Sequence, residues 1–510
     1  MDTNAAGGDY KDYREHESSR AKNKEPNEKK AEDMAFEFSL TRGPPHVRST
    51  LHKNQFTLLV LIFQVVFLVF FALFGKFDKK ALPAPKGTVN SNVDLDAKHP
   101  IFEDIHTIIF VGFGFLATFL KRYGFSAVST NMLLAAFTLQ WAMIMRGIVF
   151  NNWNIVFTAS LESIIGADLT VAVILITMGV VVGKLSPAQY IMMAAIETPI
   201  SIIMEYVVKS VFMINDIGSS IVVHAFGAYF GLGLSKALAK KKQRGHDNEG
   251  SAYHTDLFSM IGTVFLWVYW PSFNAAFTHS PDARHRAIVN TVLALASSTV
   301  TTFLASQVFD KERRFTMKHI ANATLAGGVA VGTTANVILE PFHALLIGVI
   351  AAFVSVAGFK FITPKLSEKM GIHDTRGVHN VHGLPAILAA LFSTILVLAY
   401  DENLYGDDLV KIYPAMMTNP RTGERGITAS TQGIYQLISL AIVVVASLVS
   451  GFITGIILRI KVWDQVLDAE NFADGDYFHV PPDYDFTSKI VSNINKVELN
   501  EYHPLMNKEV

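Results

Sequence analysis

Residues 215–232 read NDIGSSIVVHAFGAYFGL, and residues 373–390 read HDTRGVHNVHGLPAILAA. In each stretch an aspartate opens an apolar run and a histidine follows eight residues later, Asp216 with His224 and Asp374 with His382. Eight helical residues rise about 12 Å, which puts each histidine roughly two turns inside its run. Working outward, five apolar runs lie between residues 105 and 238, and five more between 256 and 400. An odd number of spans per half inverts the second half relative to the first, and inverted repeats meet near the bilayer midplane. The two histidines then face each other across the pseudo-axis. A lone membrane histidine is commonly a helix-packing hydrogen-bonder, whereas a pair at matching places in two repeats is the pattern of a site.

The ten runs fall near 105–120, 127–149, 163–183, 187–208, 217–238, 256–278, 287–308, 319–338, 341–361 and 378–400. One more precedes them at 56–75 (FTLLVLIFQVVFLVFFALFG) and a long one follows at 430–460. An uncharged run of about 20 residues crosses the bilayer core as a helix. The expected fold class is therefore an all-α integral membrane protein with about twelve transmembrane helices. Composition agrees: half of the 510 residues are hydrophobic and 17% are charged, against about 25% for soluble chains. A net charge of −1 gives no reason to expect a nucleic-acid partner. The chain has no cysteine, which excludes disulfides, thiol catalysis and cysteine-based metal sites. No cofactor or metal is expected. No nucleophile elbow, zinc-protease motif or phosphate-binding loop occurs in a suitable context, so an enzyme is not expected either.

An even number of spans puts both termini on one side. Loops on that side carry Lys121, Arg122, Lys184, Lys236, Lys240, Lys241, Lys242, Arg244, Lys311, Arg313, Arg314, Lys318, Lys360, Lys365, Lys369 and Arg376, whereas the opposite loops are acidic or mixed, as at 401–408. The positive-inside rule makes both termini cytosolic. Residues 1–50 are polar, lack the layout of a signal peptide and read as a disordered cytosolic tail. The transmembrane domain takes 51–463, and 464–510 reads as a cytosolic C-terminal tail.

Ionisable residues inside apolar runs are costly and mark function; the main set here is Asp168, Glu205, Asp216, His224, Asp374, His379 and His382. A neutral imidazole has one donor and one acceptor nitrogen. Two rings bonded to each other each keep one polar edge for the pore, which suits a small neutral molecule that both donates and accepts, such as ammonia. A bare cation wants rings of carbonyl oxygens instead, and an apolar pore excludes ions through desolvation.

Several motifs are familiar: Val111 to Leu116 (VGFGFL), Arg122 to Val128 (RYGFSAV), Gly183 to Pro187 (GKLSP), Asp216 to Leu232, Leu266 to Asn274 (LWVYWPSFN), Asn322 to Gly332 (NATLAGGVAVG) and Asn380 to Gly383 (NVHG). On these the chain resembles the Rh glycoprotein branch of the ammonium transporter family from about residue 50 to about 480. The resemblance implies an eleven-helix fold with an inverted 5+5 repeat plus one extra N-terminal helix. It implies a homotrimer in the plasma membrane with one pore per subunit, and leaves room for a cytoskeletal partner at the tails. It casts His224 and His382 as the twin pore histidines, Asp216 and Asp374 as the family acids before them, and Glu205 as the acid that recruits ammonium at the external mouth. Phe273 matches one of two stacked gate phenylalanines, with Asn274 beside it; the other falls on Leu169, so cation–π capture from that position is lost. Asp216, Asp168 and Asp374 are expected to be structural, and His379 to face the cytosolic vestibule.

The expected activity is an ammonium/ammonia channel, not an enzyme. Ammonium drawn by Glu205 loses its proton near Phe273 and Leu169, ammonia passes His224 and His382, and is reprotonated beyond. The rivals are a carbon dioxide channel, a structural scaffold of the Rh type, and a proton-coupled transporter of another substrate.

Overall fold

A computed structural model describes residues 50–83, 86, 93–399, 402–417 and 426–481. The expected N-terminal tail lies outside the described residues apart from Thr50, as does the C-terminal tail beyond Pro481. Residues 55 onward form one compact unit; of the unit before it, only the first turn of the opening helix is described.

The helices that build the spans, in chain order, are α1 (Thr50–Phe74), α2 (Val93–Thr107), α3 (Gly124–Phe150), α4 (Leu161–Val181), α5 (Pro187–Tyr206), α6 (Phe226–Leu238), α7 (Tyr253–Ala275), α8 (Pro281–Phe309), α9 (Met317–Ala323), α10 (Ala326–Gly332), α11 (Pro341–Ala357), α12 (Leu384–Ala399) and α13 (Ala429–Leu458). Among the described residues ten helical stretches are long and apolar enough to cross a membrane. Helix α7 and the broken pair α9/α10 stand where the two remaining runs were expected. The run at 319–338 is thus two short helices, because the backbone turns at Thr324-Leu325. Gly327 follows that turn, and a Cβ there would sit 2.3 Å from the Ala294 carbonyl oxygen of α8. Two three-residue strands add to the all-α expectation: β1 (Gly75–Phe77) pairs in parallel with β2 (Phe157–Ala159), joining the end of α1 to the loop before α4.

Helix starts follow local chemistry. Ser160 and Ser186 form capping boxes with Ser163 and Gln189, and Pro187 and Pro281 occupy first-turn positions where no amide donor is needed. The interior belongs to α4 and to the span ending in α6, both almost wholly buried, while α1 is apolar and largely exposed, as a lipid-facing helix should be. Helix α6 crosses α13 at backbone distance. A Cβ on Gly233 would lie 2.3 Å from the Leu448 carbonyl oxygen, and one on Gly451 2.1 Å from that of Phe230. Small residues allow such contact where apolar lipid offers no hydrophobic drive.

The inverted repeat shows in irregularities that sequence periodicity does not reveal. A π-helical turn ends α5 (Val207–Val211) and another ends α11 (Gly358–Ile362). A second matched pair, Ser220–Ala225 and His379–Gly383, opens α6 and α12. Three residues after each repeat aspartate the backbone turns left-handed, at Ser219 (φ 58°) and Gly377 (φ 82°).

The polar segment after residue 463 does not leave the core at once. Phe472 is fully buried and its amide donates to the Gly183 carbonyl at 2.8 Å. Asp474 accepts from the Phe125 and Ser126 amides, each at 2.9 Å, and so caps α3 from a distance. The expected boundary at 463 therefore falls inside packed structure. Asp474→Ala strips the cap from α3 and should cost about 1–2 kcal/mol, read as a lower Tm in detergent.

Candidate functional site

The repeat aspartates are caps. One oxygen of Asp216 accepts from the Ile221 and Val222 amides, both at 3.0 Å, and the other from the Thr333 hydroxyl at 2.7 Å. Asp374 accepts from the Gly377 and Val378 amides at 3.0 Å and from the His379 amide at 2.8 Å. Each thereby satisfies the free N–H groups at the start of the π-turn that carries a histidine. The two segments dock crosswise. Gly218 donates to the Gly332 carbonyl at the end of α10, and Thr375 to the Val180 carbonyl near the end of α4.

The turns bring the histidines together. His224 and His382 are both buried, and their Nδ1 atoms lie 3.1 Å apart with ring planes 14° from parallel. A bond between two Nδ1 atoms needs one as donor and one as acceptor. The first ring then has a bare Nε2 and the second an Nε2–H, so the pair offers one acceptor and one donor away from their shared contact. Two imidazolium rings would set two N–H groups head to head and cannot make it. His224 Nε2 is buried without a partner, an unmet polar edge that a passing molecule can satisfy.

Aromatic rings enclose the pair. Trp270 stacks on His224 at 5.5 Å, Phe113 on His382 at 6.4 Å, and Phe273 lies tilted at 5.7 Å from His224. Ile108, Phe113, Trp270 and Phe273 surround the space beside His224, which has no room for a water-sized sphere. Leu169 is buried on α4 and is not among these residues; Ile108, on the π-turn after α2, stands with Phe273 instead.

The other expected residues have distinct places. Asn274 is fully buried and donates to the Thr291 hydroxyl and the Gly328 carbonyl, both at 3.0 Å, tying α7 to α8 and α10 rather than opening to a vestibule. His379 is buried edge-on against Tyr229 at 5.8 Å, outside the twin pair. Asp168 bonds His106 at 3.0 Å. Glu205 is held by Arg146 at 2.5 Å and by Lys209 at 3.3 Å. Between α4 and α5, buried Lys184 donates to the His373 carbonyl at 2.5 Å and steadies the segment leading to His382. Burial pushes the Lys184 ammonium down to about 7, against the pull of Asp374 and Glu249.

Sequence reasoning passed over three residues. Trp270 sat inside a quoted motif without a role. Arg146 is a lone charge in the run at 127–149, and its partner is 59 positions away. Glu197 is the first of two acids in the run at 187–208, ahead of Glu205, and is wholly buried. The Thr177 hydroxyl lies 2.5 Å from Glu197 and 2.8 Å from the Gly227 carbonyl. The single hydroxyl hydrogen of Thr177 goes to one of these acceptors at a time, and when it goes to Gly227 a protonated Glu197 supplies the hydrogen for the other contact. Glu197→Gln keeps a donor and should leave the Tm nearly unchanged, whereas Glu197→Ala opens a void and should cost about 2–4 kcal/mol. Thermal unfolding of the two variants separates them.

A family profile described as Ammonium Transporter Family matches residues 62–477. Ammonium transporter Rh type B-A of Xenopus laevis is 40% identical over 441 residues, which is 85% of this chain and 95% of that protein. Ammonium transporter Rh type B of Mus musculus is 39% identical over 446 residues, 87% of this chain and 96% of its own. Among solved structures, Rh50 of Nitrosomonas europaea superposes with a TM-score of 0.66 at 32% identity, over 81% of this chain and all of that one. Mep2 of Saccharomyces cerevisiae superposes at 0.57 and 17% identity, over 78% and 94%, a likeness of fold. With the inverted repeat and the paired histidines, these matches show that the chain belongs to the Rh glycoprotein branch of the ammonium transporter family, which consists of transporters and channels rather than enzymes.

Proposed function

We propose that this protein is an ammonia channel that conducts the neutral molecule through the pore lined by His224 and His382. One observation carries the reading: the 3.1 Å contact between the two Nδ1 atoms, which leaves one acceptor and one donor edge inside an aromatic, water-excluding constriction. Ammonia both donates and accepts, so it can exchange its water partners for the two imidazole edges as it passes. Ammonium must shed a full ionic hydration shell, a cost that this lining cannot offset. The names of the Xenopus and mouse relatives support the same substrate. On this reading the protein is a homotrimer in the plasma membrane with both termini cytosolic.

The test is stopped-flow fluorimetry of proteoliposomes under an inward ammonium gradient. Faster internal alkalinisation than in empty vesicles, lost when the histidines are replaced, is the expected result. Equal rates in all vesicles would move the scaffold reading to first place. A carbon dioxide gradient in the same apparatus, giving a protein-dependent acidification that survives histidine replacement, would favour the gas channel.

A further inference from the structure

The external mouth has a charge arrangement that the family resemblance does not imply. The carboxylate expected to attract ammonium, Glu205, is occupied: Arg146 contacts both of its oxygens, at 2.5 and 3.3 Å, and Lys209 reaches one of them at 3.3 Å. Arg146 also donates to the Thr170 hydroxyl at 3.3 Å, and Lys209 to the Ser219 hydroxyl at 3.2 Å. All three charged side chains are mostly covered, with exposures of 16%, 12% and 24% for Arg146, Glu205 and Lys209. Their sum is one positive charge. The backbone makes room for the guanidinium, since a Cβ on Gly166 would lie 2.8 Å from Arg146 Nε.

A recess of about 440 Å³ opens beside this cluster, and Arg146 lines it together with Phe150, Gly166 and Phe277, whereas Glu205 does not. Two acids also line it, Glu162 and Asp78. Glu162 is paired with Lys98 at 2.7 Å, and Asp78 accepts from the Lys80 amide at 2.8 Å. Glu205 is thus screened from the recess by the guanidinium that neutralises it.

We propose that Arg146 is a specificity-determining residue of the external mouth: with Lys209 it neutralises Glu205 and turns a guanidinium toward the entrance, so that the mouth admits the neutral amine and does not concentrate the ammonium cation. This rests on the ammonia-channel reading and deepens it. The proton that ammonium gives up stays in the outside water, and ammonia gains one from water on the far side. Charges in a recess with low-dielectric walls set local ion concentrations through their sum. Releasing Glu205 therefore makes the entrance a cation attractor.

The absence of native cysteine allows a direct measurement. Thr158 is exposed and lines the recess. In Thr158→Cys protein, labelling rates with a cationic and an anionic methanethiosulfonate reagent report the local potential. Adding Arg146→Gln should raise the cationic-to-anionic ratio several-fold, and adding Arg146→Lys should leave it near its starting value. In proteoliposomes at fixed ammonia, flux should be independent of total ammonium in the parent and climb with ammonium in the Arg146→Gln/Lys209→Gln protein, a gain removed by Glu205→Gln. An unchanged labelling ratio in Arg146→Gln overturns the proposal. So does a parent protein whose flux already climbs with ammonium and loses that dependence on Glu205→Gln. Labelling needs no conduction, so a histidine-independent flux would sink the channel reading while the charge of the mouth is still measured.

Discussion

Replacing His224 and His382 together by alanine should reduce ammonia-driven alkalinisation of proteoliposomes to the rate of empty vesicles. Each ring contributes one edge, and each orients the other through the Nδ1 contact. A single replacement therefore removes one edge and leaves the remaining ring free to turn, with a buried nitrogen that has lost its partner. One lost hydrogen bond in the dry constriction raises the barrier by about 1.4 kcal/mol or more, so each single variant should conduct roughly tenfold more slowly. The double variant removes both edges and should show no rate above that of empty vesicles. Stopped-flow rates for the two singles and the double test this directly. Two singles that each match the parent would remove the histidines from the mechanism.

The second large effect is expected at Asp216. Its carboxylate accepts from the Ile221 amide, the Val222 amide and the Thr333 hydroxyl, and all three donors are buried. Asp216→Ala leaves these buried donors unpaired, at about 1–3 kcal/mol each. The cost falls where the first-repeat turn docks on the end of α10, so both stability and the position of His224 should suffer. Asp216→Asn keeps one acceptor oxygen and should fall between alanine and the parent. The measurements are thermal unfolding in detergent and flux in vesicles. A fully stable Asp216→Ala protein that conducts normally would contradict the capping role.

The membrane class, the approximate span count and the pairing of repeats were legible because each depends on local properties. A run such as 56–75 is apolar over the length a bilayer demands, and the spacing from Asp216 to His224 recurs from Asp374 to His382. The broken span at 319–338 was not legible, because hydropathy does not distinguish a continuous helix from two short ones joined at Thr324-Leu325. The packing of the segment after residue 463 was not legible for a related reason. Residues 464–481 are polar on average, yet Phe472 and Asp474 are held by partners on Gly183 and α3 that no window along the chain contains.

The site divides in the same way. By itself the sequence determined that two histidines enter the membrane at matching depths behind two aspartates, and that no thiol or disulfide is available. Only the tertiary structure decided that the rings bond through Nδ1, that Trp270 and Phe113 cover their faces, that Ile108 rather than Leu169 stands with Phe273, and that Glu205 belongs to Arg146 and Lys209. Depth and periodicity follow from each segment's own partition between water and lipid. The choice of partner depends on which atoms distant segments bring within about 3 Å, where hydrogen bonds form, and that is settled only when the helices have packed.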